Sequence, residues 1–578
     1  MSKQAKRNLK AQPIPWRLYV VVAFVCLLFT SLVGRAAYIQ LIEPDKLKRE
    51  SDMRTLRTSS NAVQRGLITD RNGEMLAVSV PVQAVYADPK EVSEKGGFND
   101  MRRWEALADV LHEKPSELIS RVKDSPSKRF TYLKRQVTPA VAEYIRQLKL
   151  PGVHLKPESR RYYPAGEITA QLVGVTNIDD FGIEGIESTY NNWLTGTPSK
   201  QKVRKSRDGH VVEKLDIVQE GESPNDVVLS IDHRIQQLAY RELKRATEMH
   251  QATSGSVVVI DVTSGEVLAM ANTPSFNPNS RDDWQSFKMR NRAVTDTFEP
   301  GSTVKPFVVA AALEAGTVKP DAIIPTSPGW MRIGGRQVRD HSNYGDMSLA
   351  KILVKSSNMG VAKLSLGMPV EQLLGMYYSV GLGNYSGIGL PGESAGVIQE
   401  KHRWSDFERS TLAFGYGLTS TTLQLARMYA TLGNGGMLYP SSILKLKQKP
   451  EGQRVISERV ANDVLNMLAG VTEVGGTARK AHIEGYPVAG KTGTSRKAVA
   501  GGYGDDYMAS FAGVAPINNP KLAIAVVINE PKGDKYYGGD VSAPVFSKVM
   551  AGALQMLNVE PISKDEQTQM AANRLGAE

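Results

Sequence analysis

The run from Leu18 to Gly34, near the start of the chain, carries no charged side chain. Apolar character continues past Arg35 to Ile42. A bilayer core of about 30 Å needs roughly 20 helical residues, and an arginine near the end of such a span can extend its charge to the interface. Aromatic side chains of the interfacial type flank the run: Trp16, Tyr19 and Tyr38. The sequence therefore predicts a single transmembrane helix over residues 18–42.

The charges around this run predict its orientation. Five basic residues precede it, and the first acidic residue of the chain is Glu43. The positive-inside rule places residues 1–17 in the cytoplasm as a short tail and everything after about residue 42 outside. A cleaved signal peptide fits less well, because its apolar region spans only about 7–15 residues. A lipoprotein site at Cys26 lacks the small residue expected just before the cysteine.

Length and charge limit the remaining possibilities. A chain of 578 residues is long enough for two or three domains. The net charge of +11 falls to +6 without the five basic residues of the tail. Since no basic stripe with interleaved aromatic residues remains, the sequence does not predict nucleic-acid binding.

The first half after the anchor, residues 43–225, has a mixed α+β pattern. It predicts a helix over 101–122 that restarts at Pro115, a helix over 137–148, and a strand that ends in an Asn72-Gly73 turn. It shows neither a nucleophile–base pair nor the spacing of metal ligands. We therefore interpret residues 43–225 as a non-catalytic spacer domain.

The second half, residues 226–560, predicts an antiparallel sheet covered by helices. Its strands are expected at 227–231, 255–262, 266–271 and 522–528, with helices at 232–242 and 543–556. The fold class is therefore α+β with several domains. The remainder, residues 561–578, is a polar C-terminal tail.

The segment Ser302-Thr303-Val304-Lys305 precedes a strongly apolar run. Pro306 is tolerated only in the first turn of a helix, so the helix must begin near Ser302. The serine would then lie at the positive end of the helix dipole, and Lys305 would reach its hydroxyl from one turn away. Apolar neighbours would favour the neutral lysine that a general base requires. Alone, the pattern is more often an ordinary helix start.

Two further groups change that interpretation. Ser356-Ser357-Asn358 follows the first group along the chain, and Lys491-Thr492-Gly493 follows the second, with Thr494 directly behind. The order S-x-x-K, S-x-N, K-T-G is that of acyl-enzymes that react with penicillin. Three groups in this order rarely arise by chance.

Each group suits a step of acyl transfer. Ser356 would relay a proton to a leaving amine, and Asn358 would hold a substrate amide and the lysine. Gly493 would let a peptide lie along its strand. Lys491 supplies a positive charge, and the hydroxyls of Thr492 and Thr494 would donate to a substrate carboxylate. The backbone N–H groups of Ser302 and Thr494 would form the oxyanion hole.

The chain resembles the class B penicillin-binding proteins, and among them the septal D,D-transpeptidases of Gram-negative cell division. The resemblance covers nearly the whole chain, including segments outside the three motifs: 65–71, 158–164 and 182–187 in the first half, and 298–302, 414–417 and 535–539 in the second. It implies an elongated pedestal domain for dimerisation or interaction over 43–225 and a transpeptidase domain over 226–560.

The resemblance also implies the reaction. Ser302 attacks a peptidoglycan stem peptide that ends in D-Ala-D-Ala, D-Ala leaves, and an amine of a neighbouring stem peptide resolves the acyl-enzyme into a cross-link. β-Lactam antibiotics acylate the same serine. No metal and no organic cofactor is implied. The expected partners are a lipid-II polymerase of the SEDS family and other division proteins, and the expected place is the bacterial inner membrane, with the catalytic domain in the periplasm.

Three features depart from the family pattern. Thr422 replaces the proline of a Thr-Pro-Leu-Gln segment, Ser495 followed by Arg496 replaces an alanine after K-T-G-T, and the loop 497–507 is Gly-rich and short. They lie beside the expected groove, so they bear on substrate preference and penicillin affinity. They suggest the hypothesis of a specialised second copy of the septal enzyme, used under particular growth conditions.

Other functions use the same acylation step. A D,D-carboxypeptidase or a β-lactamase stays open on the three motifs alone, although the anchor and the additional first half of the chain are unusual for a lactamase. The other alternative is a binding protein, either a penicillin-responsive sensor or a division scaffold whose enzymatic activity is incidental.

Overall fold

The computed structural model describes residues 16–41, 44–60, 64–124, 126–197, 199–206, 211–499, 501–563 and 566. They form two compact units. The first comprises the described residues before Gln64 together with those of Thr197–Ser223, and the second comprises Gln64–Gly196 and the described residues from Pro224 onward. The predicted boundaries at 43, 226 and 561 stay predictions. Most of the predicted tails, 1–17 and 561–578, lies outside the described residues.

The first unit begins with one continuous helix, Trp16–Leu41, whose side chains are all unburied. Its 26 residues give a length of about 39 Å, enough to cross a bilayer core. The predicted span ends at Ile42, which lies outside the described residues. A helix Pro44–Thr55 and three antiparallel strands complete the unit, with Lys200–Lys205 between Leu56–Ser60 and Val211–Gln219.

The second unit opens with a sheet built on the long strand Met75–Ala87. This strand pairs with Thr131–Val137, Val153–Tyr162 and Ile68–Thr69. Helices cover the sheet at Pro89–Glu94, Met101–Leu111, Pro115–Lys123 and Pro139–Leu148. The predicted interruption before Pro115 is present, since His112 adopts a left-handed φ of 54°. The helix predicted from 137 begins slightly later because Val137 still pairs in a strand and Thr138 caps the helix.

Three segments of the first half meet in a buried ionic network. The guanidinium of Arg65 donates to Glu187 Oε2 at 2.6 Å, and that of Arg161 donates to Glu187 Oε1 at 2.6 Å. All three side chains are nearly inaccessible to solvent. The motif-like segments 65–71, 158–164 and 182–187 are thus joined by one carboxylate.

The second half of the chain is built on a five-stranded antiparallel sheet, here called the central sheet. Its strands lie in the order Val267–Thr273, Ser254–Asp261, Leu522–Asn529, Gly502–Ala515 and Ala489–Val499. The helices His233–Met249 and Ala543–Met556 pack against it and against each other, and Thr422–Gly433 packs against it as well. The predicted antiparallel sheet and the closing helix are confirmed. The strand predicted over 227–231 is wrong for this sheet, because only Val227–Val228 is a strand and it pairs in parallel with Ile68–Thr69 of the first sheet. The helix predicted over 232–242 continues to Met249 because Leu243 and Ala246 extend its buried face.

The second unit contains further helices and strands. The longer helices are Lys305–Glu314, Leu349–Val354, Asn358–Leu366, Val370–Ser379, Asp406–Ala413 and Glu458–Ala469. The shorter helices are Gly166–Ile168, Ala170–Val173, Gly185–Thr189, Asn191–Thr195, Arg281–Asp283, Ser286–Met289, Arg292–Thr295, Gly301–Val304, Arg479–Ala481 and Gly538–Val541. Short strands are Val227–Val228, Ile323–Pro325, Trp330–Ile333, Arg336–Arg339, Asp346–Ser348, Val397–Ile398, Leu418–Thr419, Met437–Leu438 and Gln453–Arg454.

Candidate active site

Ser302 lies on a single 3₁₀ turn, Gly301–Val304, which leads directly into the helix Lys305–Glu314. The predicted helix start is therefore confirmed, with the proline in the first turn. Gly301 has a φ of 56°, a left-handed conformation that favours glycine. The turn is fixed from behind, where the hydroxyl of Tyr429 donates to the carbonyl of Thr303 at 2.8 Å. Ser302 itself is half-buried.

Lys305 is completely buried, and its amine joins the first motif to the second. Nζ lies 2.6 Å from the carbonyl oxygen of Ser356, 3.2 Å from its Oγ and 2.8 Å from Oδ1 of Asn358. The expected hydrogen bond to the hydroxyl of Ser302 is not among those of the described residues. The lysine has only three hydrogen-bonding positions, and the second motif occupies all of them.

Electrostatics favour the neutral form of Lys305. Burial holds its pKa well below the usual lysine value, and the positive charge of Lys491 lowers the pKa further, while Asp340 opposes the shift. A neutral amine has two donors and one lone pair. The carbonyl of Ser356 and Oδ1 of Asn358 suit the two donors, and the hydroxyl of Ser356 can donate to the lone pair.

The second motif is held by a carboxylate that no sequence pattern selected. Asp340 is buried and accepts from the hydroxyl of Ser357 at 2.6 Å and from the N–H of Met359 at 2.9 Å. Ser356 adopts a left-handed φ of 57°, unusual for a residue other than glycine. Asp340 lies well before the motif in the chain, and no local spacing links the two.

Lys491 and Thr492 lie on the edge strand of the central sheet, Ala489–Val499. Lys491 is completely buried, and burial lowers its pKa to about 7. Its nearest hydrogen-bonding oxygens, the carbonyl and hydroxyl of Thr492, are both at 3.4 Å. The ammonium is thus weakly bonded within the protein and remains available to an anion.

Gly493 has a packing role that the sequence did not predict. A Cβ at this position would lie 2.3 Å from Oγ of Ser510 and 2.8 Å from the carbonyl oxygen of Pro300. The glycine lets the strand pack against the segment that carries Ser302. The predicted contact of this strand with a substrate peptide stays a prediction. Next to it, the hydroxyl of Thr494 accepts from the N–H of Gly538 at 3.0 Å and keeps its proton free to donate.

Ser495 and Arg496 occupy opposite environments. Ser495 is buried and donates from Oγ to the carbonyl of Glu299 at 2.7 Å, whereas Arg496 is exposed and lies over the ring of Tyr507 at 5.7 Å.

The predicted loop over 497–507 is wrong in large part. The strands Ala489–Val499 and Gly502–Ala515 take up most of its described residues, and Val499 pairs with Gly502.

Glu299 is a further charged group near the serine. Its Oε1 accepts from the N–H of Gly417 at 2.9 Å and from the hydroxyl of Tyr503 at 3.2 Å. Burial raises its pKa. The sequence placed Glu299 in a family-like segment, 298–302, but suggested no role for it.

Among the described residues, no group of three or more His, Cys, Asp and Glu side chains is arranged to hold a metal ion.

Two family descriptions match the chain. Residues 255–551 match "Penicillin binding protein transpeptidase domain", and residues 60–229 match "Penicillin-binding Protein dimerisation domain". The chain therefore belongs to the class B penicillin-binding proteins, and the predicted family is confirmed.

Within that family the similarity extends to individual proteins. The chain is 48% identical over 560 residues to "Peptidoglycan D,D-transpeptidase FtsI" of Escherichia coli K12. The aligned residues cover 97% of this chain and 95% of the relative. A peptidoglycan synthetase from Bifidobacterium adolescentis matches with a TM-score of 0.69 and 28% identity over 88% of this chain and 98% of its own. Penicillin-binding protein 3 of Mycobacterium tuberculosis complexed with aztreonam matches with a TM-score of 0.67 and 28% identity. This match covers 87% of this chain and 98% of that chain.

Proposed function

We propose that this chain is a membrane-anchored peptidoglycan D,D-transpeptidase that cross-links stem peptides at the division septum through an acyl-enzyme on Ser302. The observation that carries the proposal is the buried amine of Lys305, whose neutral form is favoured and which contacts both Ser356 and Asn358. A neutral amine can accept a proton, as a general base must.

In the proposed acylation, the hydroxyl oxygen of Ser302 attacks the carbonyl carbon of the penultimate D-Ala, and its proton passes to Lys305 through the hydroxyl of Ser356, which faces the lone pair of the amine. The N–H groups of Ser302 and Thr494 stabilise the negative charge on the carbonyl oxygen. When the C–N bond breaks, the proton reaches the leaving D-Ala amine through the hydroxyl of Ser356. An amine of a second stem peptide then attacks the ester and loses a proton to the same base. Lys305 returns that proton to the oxygen of Ser302 as the ester bond breaks.

The K-T-G-T strand would bind the substrate. Lys491 in its cationic form attracts the terminal carboxylate, and the hydroxyls of Thr492 and Thr494 donate to it. Asn358 would hold the substrate amide with the part of its side chain not engaged by Lys305. Gly493 contributes indirectly, because it allows this strand to lie against the Ser302 turn. β-Lactams present a carboxylate and a reactive carbonyl to the same groups.

Location and partners rest on the resemblance and on the anchor helix. Residues 1–17 would lie in the cytoplasm and the catalytic half in the periplasm, since the basic residues precede the helix. A lipid-II polymerase of the SEDS family and other division proteins would bind the pedestal or the anchor.

The hypothesis of a specialised second copy of the septal enzyme rests on Thr422, Ser495 and Arg496. It fails if deletion of the gene is lethal in standard medium and the same genome contains no close homologue.

Two measurements separate the proposal from its alternatives. The purified protein is labelled with fluorescent penicillin, and the label is followed over time. It is then given a pentapeptide donor and an amine acceptor. Persistent label with a cross-linked product supports the transpeptidase. A tetrapeptide product without a cross-link would indicate a D,D-carboxypeptidase. Rapid loss of the label would indicate a β-lactamase. A persistent label without any peptide product would indicate a sensor or a scaffold.

A further inference from the structure

Glu299 contacts two paired strands of the central sheet at once. Oγ of Ser495, on Ala489–Val499, donates to the backbone carbonyl of Glu299 at 2.7 Å. The hydroxyl of Tyr503, on Gly502–Ala515, donates to Oε1 of Glu299 at 3.2 Å. One residue just before the proposed nucleophile therefore holds both strands, and the chemical steps proposed above give it no role.

The same carboxylate oxygen also holds a neighbouring loop. Oε1 of Glu299 accepts from the N–H of Gly417 at 2.9 Å. In this loop, the ring of Tyr416 lies edge-on to the ring of Tyr503, with the two centroids 5.4 Å apart. Tyr503 is thus fixed by a hydrogen bond and by an aromatic contact.

The strand Ala489–Val499 needs such contacts because it is the last strand of the central sheet. One of its edges has no neighbouring strand in that sheet, and such an edge lacks the backbone hydrogen bonds that would fix it. Its pairing on the other edge is irregular just beyond Ser495. Thr494, whose hydroxyl is proposed to bind the substrate carboxylate, lies next to Ser495. Glu299 therefore supports this strand where its backbone pairing is weakest.

The carboxylate also has a cost. Oε2 of Glu299 is buried without a hydrogen-bond partner among the described residues. A buried oxygen left unbonded destabilises the folded state, and an apolar side chain of similar shape would avoid that loss. The acceptor at Oε1 is therefore the feature that distinguishes Glu299 from a residue used for packing alone.

We propose that Glu299 is a positioning residue for the reaction at Ser302. It ties both strands to the turn that carries the serine, and so holds the K-T-G strand in the orientation that receives the substrate carboxylate. This role rests on the proposed function, because it concerns substrate binding beside Ser302. The carboxylate is held both in the bound complex and in the transition state, so loss of the positioning should raise KM more than it lowers kcat.

Steady-state release of D-Ala from a pentapeptide donor, with an amine acceptor at fixed concentration, tests this role in the full-length protein. Tyr503→Phe removes only the hydroxyl that donates to Glu299. KM should rise by about three- to tenfold, the effect of one hydrogen bond, while kcat and the midpoint of thermal unfolding stay near those of the parent. Tyr385→Phe, at an exposed position, is the control and should change neither constant. An unchanged KM in Tyr503→Phe, or a loss in kcat alone, would overturn the proposal.

A double-mutant cycle shows whether Tyr503 acts through Glu299. Glu299→Ala removes the acceptor, so Tyr503→Phe added to it should raise KM no further. Glu299→Gln keeps an acceptor oxygen and should retain a KM near that of the parent. Additive losses in the double variant, or equal losses in Glu299→Gln and Glu299→Ala, would overturn the proposal.

Ser495→Ala tests the contact of the other strand. It removes the donor to the backbone carbonyl of Glu299 and should also raise KM with little change in kcat, and a KM equal to that of the parent would contradict this contact's part in the role. No release of D-Ala by the parent protein would overturn the proposed function, and this role with it. Parent-like constants in all of these variants would overturn the role of Glu299 alone.

Discussion

Nζ of Lys305 lies 2.8 Å from Oδ1 of Asn358, so a residue of the first motif is hydrogen-bonded to a residue of the second. The lysine is fully buried and reaches the second motif instead of the nearby serine of its own motif. The proposed base is thus oriented by Asn358 and Ser356 before any substrate binds. Orientation of this kind reduces the reorganisation that proton transfer requires.

Lys305→Arg should nearly abolish acylation. A guanidinium stays protonated at any accessible pH, so it cannot accept the proton of Ser302. The expected loss in the second-order rate of acylation by penicillin is about 10²–10⁴-fold, the usual contribution of a general base. Stopped-flow labelling measures it, with Lys319→Arg as the control at an exposed position. A loss below tenfold would remove Lys305 from the role of base.

Acylation should weaken as the pH rises through about 7. Burial lowers the pKa of Lys491 to about 7, so the side chain is cationic below that pH and neutral above it. Only the cationic form attracts the carboxylate of a penicillin or a stem peptide. The rate of acylation measured from mildly acidic to mildly alkaline pH should therefore fall on the alkaline side, with its midpoint near that pKa.

The comparison variant for this profile is Lys491→Arg. Its guanidinium keeps its charge throughout the range, so the alkaline fall should disappear even if the rate at acidic pH is reduced by poorer packing. An alkaline fall that persists unchanged in Lys491→Arg would assign the titration to another group.

Gly493→Ala should damage both packing and acylation. Its Cβ would lie 2.3 Å from Oγ of Ser510 and 2.8 Å from the carbonyl oxygen of Pro300, so the strand or the Ser302 turn must move. We expect a loss of stability of about 1–3 kcal/mol, as for other overpacked sites, with a large fall in acylation rate. Denaturant unfolding and penicillin labelling measure the two effects.

Gly375→Ala is the matched control for that change. It lies inside the helix Val370–Ser379 with nothing within 4 Å of the added Cβ. Alanine there should stabilise the helix by about 0.5–1 kcal/mol and leave acylation unchanged. If Gly493→Ala behaved like Gly375→Ala, the close packing of the K-T-G strand on the Ser302 turn would be disproved.

Glu187→Gln should strongly destabilise the first half of the chain. The carboxylate neutralises two buried arginines, Arg65 and Arg161, and the neutral amide leaves both charges uncompensated. Breaking such a buried pair costs about 3–5 kcal/mol. Glu143→Gln, which removes an exposed carboxylate paired with Arg146, should change the free energy of unfolding by less than about 0.5 kcal/mol. Similar effects from both variants would contradict this role.

Local patterns predicted much of the fold and the site. Pro306 placed the start of the Ser302 helix, and the apolar strand 522–528 and the helix 543–556 were located almost to the residue. Sequence could not predict the contacts that depend on the approach of distant segments. Asp340 supports Ser357 across 17 positions, and Gly493 is small because Pro300 lies against it. The hairpin at 497–507 was missed because its Gly-rich composition resembles a loop, whereas pairing with the adjacent strand keeps it extended.

The most direct test of the central claim identifies the residue that carries the acyl group. The protein is incubated separately with benzylpenicillin and with a donor peptide ending in D-Ala-D-Ala, quenched in acid, digested, and mapped by mass spectrometry. We predict that both adducts lie on the peptide containing Ser302, that the donor adduct lacks one D-Ala, and that Ser302→Ala forms neither. An adduct on any other residue, or adducts that persist in Ser302→Ala, would contradict the account.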